Sequence, residues 1–315
     1  MGKICLLIKK EAVLFIAFVF ALVSMMLIPP DLHYFSYIDY SVLSILFCLM
    51  VVAAGLKDLG VFNLMSQRLL ARTKSVKFLS IILVNCVFVC SMFMTNDVAL
   101  IAFVPVSIRI FSSTGHKKLI FIIVMETLAA NLGSMLMPIG NPQNLYIYSF
   151  YRLSMVSFLQ YIIPAGIISY VILTGIILAA QNGVIITSVI PSQTVEPKNI
   201  KKPFLYYTVL FMVCIAAVLR FLEGRVFMVS ILSSQIISNV PAAMLVSRFT
   251  SDVRQLLLGV NIGGLGTPVA SLASLISFRI YSRSESSAPG KFLGTFTIYN
   301  ISLLLLAGVI FALTP

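Results

Sequence analysis

The stretch SMFMTNDVALIAFVP, residues 91–105, sets Thr95, Asn96 and Asp97 in the middle of an apolar run. An amide beside a carboxyl is costly in apolar surroundings unless something there uses both. The rest of the chain makes the surroundings clear. Its 315 residues are 60% hydrophobic and 10% charged, whereas about a quarter of a soluble domain is charged. Mean hydropathy is +1.06. Apolar runs of about 18–25 residues recur from end to end, long enough to cross a hydrocarbon core of roughly 30 Å. The sequence therefore predicts an all-α polytopic membrane protein, with crossings near 11–29, 41–56, 117–150, 155–180, 204–220, 253–281 and 291–313. Two further apolar stretches flank the polar points at 95–97 and 238–240.

The formal net charge of +12 suits a membrane protein better than a nucleic-acid partner, because basic residues collect on cytoplasmic loops and orient the helices. On the predicted crossings, 17 lysines and arginines fall on one side and 5 on the other. That asymmetry predicts a cytoplasmic N-terminus and an external C-terminus, the membrane expected being the cell (inner) membrane. The first apolar run is read as a retained helix, since it is long and no small-x-small cleavage pattern follows it. The five cysteines form no CxxC pair, and His33 and His116 fall in predicted loops, so neither a disulfide framework nor a metal site is visible. No HExxH, GxSxG or P-loop occurs, and an intramembrane protease would need a partner that Asp97 lacks; no enzyme activity is expected.

From the polar tip outward, the chain repeats. NLGSMLMPIGNPQNLYIYSFY (131–151) aligns without a gap on NIGGLGTPVASLASLISFRIY (261–281), matching Asn131 to Asn261, Gly133 to Gly263, Pro138 to Pro268 and Tyr151 to Tyr281. Upstream of each lies a polar tip, MTNDVA (94–99) and ISNVPA (237–242), with Asn96 corresponding to Asn239. Three predicted crossings separate the tips, and an odd number puts equivalent elements on opposite faces: an inverted repeat with two re-entrant hairpins and two broken helices. The boundaries are residues 1–180 for the first repeat, 181–203 for a cytoplasmic linker and 204–315 for a shortened second repeat. Gly140 and Pro142 in GNPQN, and GGLGTP at 263–268, supply the interruptions. Inverted repeats with broken helices are the build of secondary transporters, whose binding sites lie near the midplane where unwound backbone faces a ligand.

These residues resemble the ion transporter superfamily, and within it the citrate-transporter-like proteins, related to divalent anion/sodium symporters and to the arsenite-pump membrane subunit. MTNDVALIAFVP, NLGSMLMPIGNPQN, SNVPAA and GVNIGGLGTPVASLASLIS carry the resemblance, which spans nearly the whole chain. It implies a secondary active transporter of a small anion, a di- or tricarboxylate or an inorganic oxyanion, coupled to sodium or protons, with a homodimer as one arrangement. It also implies two clusters of site residues. Thr95, Asn96, Gly140, Asn141 and Asn144 would form the first, and Ser238, Asn239, Gly266 and Thr267 the second. A sodium ion would sit at Asn96 and Asn141, and another at Asn239 and Thr267, with the anion between the tips. No other cofactor is implied.

Two departures from the family pattern bear on the chemistry. The symporters carry Ser-Asn-Thr at both tips, whereas the third positions here are Asp97 and Val240. Val240 donates no side-chain hydrogen bond, and an ionised Asp97 would repel an anion; Asp97 is protonated, faces a cation or carries the proton. Glu126, within VMETLAANLG, is the second intramembrane carboxyl and a second candidate for coupling, or else a structural partner of the broken helix. The second departure is a shorter lead into the second tip, where scaffold helices after about residue 220 are missing. Two alternatives follow: a proton-coupled cation antiporter or arsenite-type exporter on the same fold, and a non-transporting relic.

Overall fold

The computed structural model describes residues 76–180, 226–285 and 287–312. The expected crossings at 11–29, 41–56 and 204–220 and the linker at 181–203 lie outside them. Helix α1 (Val76–Phe93) is followed, across a break at Met94 and Thr95, by α2 (Asn96–Phe111). Thr95 takes an extended conformation, φ −60° and ψ 150°, and its carbonyl accepts the Ala99 N–H at 3.1 Å. The chain turns at Gly115, φ +94°, where a side chain would be strained. It then forms α3 (His116–Ser134), a short 3₁₀ turn at Pro138–Gly140, α4 (Pro142–Phe150) and the long α5 (Met155–Ala180).

After residue 225 the same succession recurs. Helix α6 (Val226–Ile237) breaks at Ser238, which has φ +74°, and α7 (Asn239–Val246) follows. Next come α8 (Val253–Gly263), an irregular stretch to Ser271, α9 (Leu272–Ser282) and α10 (Pro289–Ala312). The interval 117–150, expected as one interrupted crossing, is thus α3, a gap and α4. Likewise 253–281 is α8, a gap and α9. Pro142 sits at the first turn of α4, where a missing N–H costs nothing, and Asn141 caps it by accepting the Asn144 N–H at 2.9 Å.

Two kinds of contact hold these helices together. Within each half, the hairpin helix lies against the first segment of the broken helix, α1 on α3 and α6 on α8. Glycines make the approach close: a Cβ at Gly133 would lie 2.2 Å from the Phe88 carbonyl oxygen, and one at Gly263 would lie 2.8 Å from Ser234 Oγ. Small residues at such crossings replace the hydrophobic drive that lipid cannot supply. Between halves, α9 packs on α2 and α7 packs on α4. The three stretches Asn96–Thr114, Met155–Ala180 and Pro289–Phe311 are long and apolar enough to cross a membrane. Helices α5 and α10 turn Ile167, Val171, Leu305 and Val309 outward, as helices bathed in hydrocarbon do.

Candidate functional site

The asparagines and serines of the tips and gaps are buried, so each needs a partner inside the protein, while Thr95, Asp97 and Thr267 are half-buried. Asn131, near the end of α3, is the hub of one group. Its Oδ1 accepts from Asn96 Nδ2 at 3.1 Å and from Ser271 Oγ at 2.9 Å, and its Nδ2 donates to Ser274 Oγ at 3.4 Å. Asn261, at the matching place in α8, is the hub of the other. Its Oδ1 accepts from Asn141 Nδ2 at 3.0 Å, and its Nδ2 donates to Asn144 Oδ1 at 2.6 Å and to the Leu257 carbonyl at 2.8 Å.

In the alignment of 131–151 on 261–281, Ser271 stands opposite Asn141 and Ser274 opposite Asn144. Each hub asparagine therefore reaches out of its own half into the first turn of the other half's second segment, at corresponding positions. The exchange is reciprocal, as are the contacts of α9 with α2 and of α7 with α4. Asn141 also donates to Ser134 Oγ at 3.3 Å, and Asn144 Nδ2 donates to the Met135 carbonyl at 2.9 Å.

The tips are anchored differently. Asn96 Oδ1 accepts the Asp97 N–H at 3.0 Å while its amide holds Asn131. At the second tip the Asn239 N–H and Ser238 Oγ both donate to the Ala270 carbonyl, at 2.9 and 3.3 Å. The Asn239 amide lies against Gly264, where a Cβ would come within 2.8 Å of Nδ2. Gly266, φ +100°, permits the sharp turn in the second gap. Thr267 is held on both atoms by Gln235 of α6, whose Oε1 accepts the Thr267 N–H at 2.9 Å and whose carbonyl accepts from Thr267 Oγ1 at 3.3 Å.

Two carboxyls stand apart from this satisfied network. Asp97 Oδ1 is buried without a hydrogen-bond partner. Glu126 is fully buried where α2 meets α3; Ser107 Oγ donates to its Oε1, and Oε2 has no partner. Among the described residues no lysine or arginine is buried to balance either one. Groups left in this way inside a membrane protein are candidates for a functional role.

The expected site residues thus fall into three connected groups. Asn96 joins the start of α9 through Asn131; Asn141 and Asn144 join α8 through Asn261; Ser238, Asn239, Gly266 and Thr267 gather around the second gap. Thr95 and Gly140 supply backbone at the first tip and first gap. Asn131, Asn261, Ser271, Ser274 and Gln235 are functional candidates that the sequence alone had not singled out. The match of Asn131 with Asn261 was the available signal for the two hubs.

The arrangement is that of a helical membrane protein with a buried polar network, and comparison with known proteins places it among the membrane transporters. Residues 4–252 match the citrate transporter family, and the chain belongs to that family. It is 28% identical over 300 residues to an uncharacterized transporter of Methanocaldococcus jannaschii, covering 78% of this chain and 82% of the relative. It is 27% identical over 332 residues to the inner membrane protein YbiR of Escherichia coli, covering 87% of each. A silicon efflux transporter of rice (Oryza sativa subsp. japonica) is 32% identical over 128 residues, which is 41% of this chain and 26% of the relative.

Proposed function

We propose that this protein is a secondary active transporter that carries a small oxygen-rich solute between two polar tips, by alternation of an inverted repeat driven by a cation gradient. The observation that supports it most is the reciprocal asparagine exchange, Asn131 to Ser271 and Ser274 against Asn261 to Asn141 and Asn144. Two halves that trade equivalent bonds can trade conformations, which is what alternating access requires. Family membership favours a carboxylate or oxyanion solute, with Asn96, Asn239, Ser238 and Thr95 as its nearest polar groups. Asp97 favours a second reading, proton-coupled export of a weak oxyacid. A half-buried carboxyl at the tip whose Oδ1 has no partner, with no buried cationic side chain among the described residues, suits a solute that crosses in its neutral form. Silicon efflux by the rice relative accords with that reading.

Uptake and efflux in proteoliposomes, with citrate, phosphate, sulfate, arsenite and silicic acid under imposed sodium or pH gradients, tests both. Flux of one of them that follows a gradient is expected. Movement of none, without dissipation of either gradient, would leave the non-transporting relic. Asn96→Ala and Asn239→Ala should each cut the flux roughly 10-fold or more, the effect of losing a buried hydrogen bond in the binding step. Wild-type rates in both variants would remove the tips from the site.

A further inference from the structure

The proposed function leaves the driving ion open between sodium and protons, and one side chain bears on the choice. In transporters with broken helices, the unwound carbonyls at the end of the first segment are the groups that coordinate sodium. In the second gap of this protein those carbonyls are already engaged. Gln235 Nε2 donates to the Gly263 carbonyl at 2.7 Å and to the Leu265 carbonyl at 2.9 Å. Its Oε1 meanwhile accepts the Thr267 N–H at 2.9 Å. The orientation of the amide is fixed by its neighbours, because two carbonyls need a donor and an N–H needs an acceptor. The fit is close on every side: a Cβ at Gly266 would lie 2.4 Å from Gln235 Oε1.

The first gap is treated in the same way by a different residue. By the spacing of the tips, Met92 holds the place of Gln235 in the first half, and it has no N–H to offer. There Asn144, from the first turn of α4, donates its amide to the Met135 carbonyl at 2.9 Å and, over a longer 3.5 Å, to the Met137 carbonyl. In the alignment of the halves Met135 stands opposite Leu265, so the same backbone oxygen is covered on both sides. Two unrelated positions have thus converged on one device, a carboxamide N–H₂ seated on the unwound carbonyls.

We infer that Gln235 and Asn144 are built-in substitutes for the coupling cation: their amides occupy the carbonyls that sodium would need, and the protein works without bound sodium. The inference rests on the transporter reading for its meaning, but its test does not require transport. Purified wild-type protein should bind no ²²Na⁺ saturably, and its Tm in sodium chloride should equal that in choline chloride of the same ionic strength. Gln235→Ala, by freeing the Gly263 and Leu265 carbonyls, should gain a sodium-dependent rise in Tm of roughly 5 °C at saturating salt. Gln235→Glu puts a carboxylate against two carbonyls, so its folding should depend on added sodium. Saturable sodium binding by the wild type overturns the inference. So does Gln235→Ala that folds and stays indifferent to sodium. Should Gln235→Ala fail to fold, equal behaviour of Gln235→Glu in the two salts overturns it instead. Absence of solute flux under every gradient would defeat the transporter reading and leave these binding results to stand on their own.

Discussion

Gly133→Ala is expected to abolish accumulation of folded protein. The added methyl group would sit 2.2 Å from the Phe88 carbonyl oxygen, 2.5 Å from Ser91 Oγ and 2.9 Å from the Phe88 carbonyl carbon. Ser91 can rotate, but the Phe88 backbone belongs to α1 and moves only if the helix does. That shift would propagate to Asn131, two residues away, and through it to Asn96, Ser271 and Ser274. Overpacking of this kind costs about 1–3 kcal/mol from contact alone, and loosening the buried network adds about 1–3 kcal/mol for each polar group left unpaired. Together these approach the whole stability of a typical protein, about 5–15 kcal/mol. Gly263→Ala should do less harm, because its contacts at 2.8 Å are to the Ser234 side chain and its nearest backbone atom, Ile231 Cα, lies at 3.0 Å. Gly175→Ala, in α5 with nothing within 4 Å of the new Cβ, should be neutral or stabilising by up to about 1 kcal/mol. Yield of monodisperse protein and Tm in detergent give the order. Equal behaviour of Gly133→Ala and Gly175→Ala would refute the close crossing of α1 and α3.

Helix breaks were legible in the sequence because their causes are local. Pro142 with Gly140, and Gly264 and Gly266 around Leu265, deny the backbone its i−4 partners or its α conformation wherever the chain places them. The polar tips were equally legible, since Asn96 and Asn239 in apolar runs need an explanation at once. Partner choice was not legible, because it is decided by helices far apart in sequence. The family resemblance groups Asn141 and Asn144 with Asn96, and it gives no sign of their side-chain hydrogen bonds to Asn261, 120 and 117 residues away. Gln235 was the hardest to see. On an apolar helix it reads as one ordinary polar residue, and only its distances to Gly263, Leu265 and Thr267 reveal a cap on the second gap. The alignment of the halves foresaw equivalence of Asn96 with Asn239, while the structure gives them different bonds, Asn131 for the first and the Ala270 carbonyl for the second.

Asp97→Asn is expected to separate transport from its driving force. The substitution keeps shape and polarity, and Asp97 Oδ1 has no hydrogen-bond partner to lose, so Tm should change by no more than the small amount typical of a substitution that breaks no contact. What it removes is the ability to take up and release a proton. If Asp97 carries the proton, accumulation against a solute gradient driven by a pH gradient should fall roughly 10-fold or more, while exchange of solute for solute continues and becomes independent of pH. The second tip sharpens the expectation: Val240 stands at the matching place, so no second carboxyl can take over there. Glu126→Gln is the necessary comparison. Its amide oxygen can still accept from Ser107 Oγ, so the fold should survive, and loss of pH dependence in that variant alone would assign the proton to Glu126. Retention of pH-driven accumulation by both variants would show that neither carboxyl carries the proton. If the amides of Gln235 and Asn144 take the place of sodium, Asp97 and Glu126, each with a buried oxygen that has no partner, are the two carboxyl groups whose charge could change during a cycle, and an asymmetric pair of tips is what a one-proton cycle through Asp97 would need.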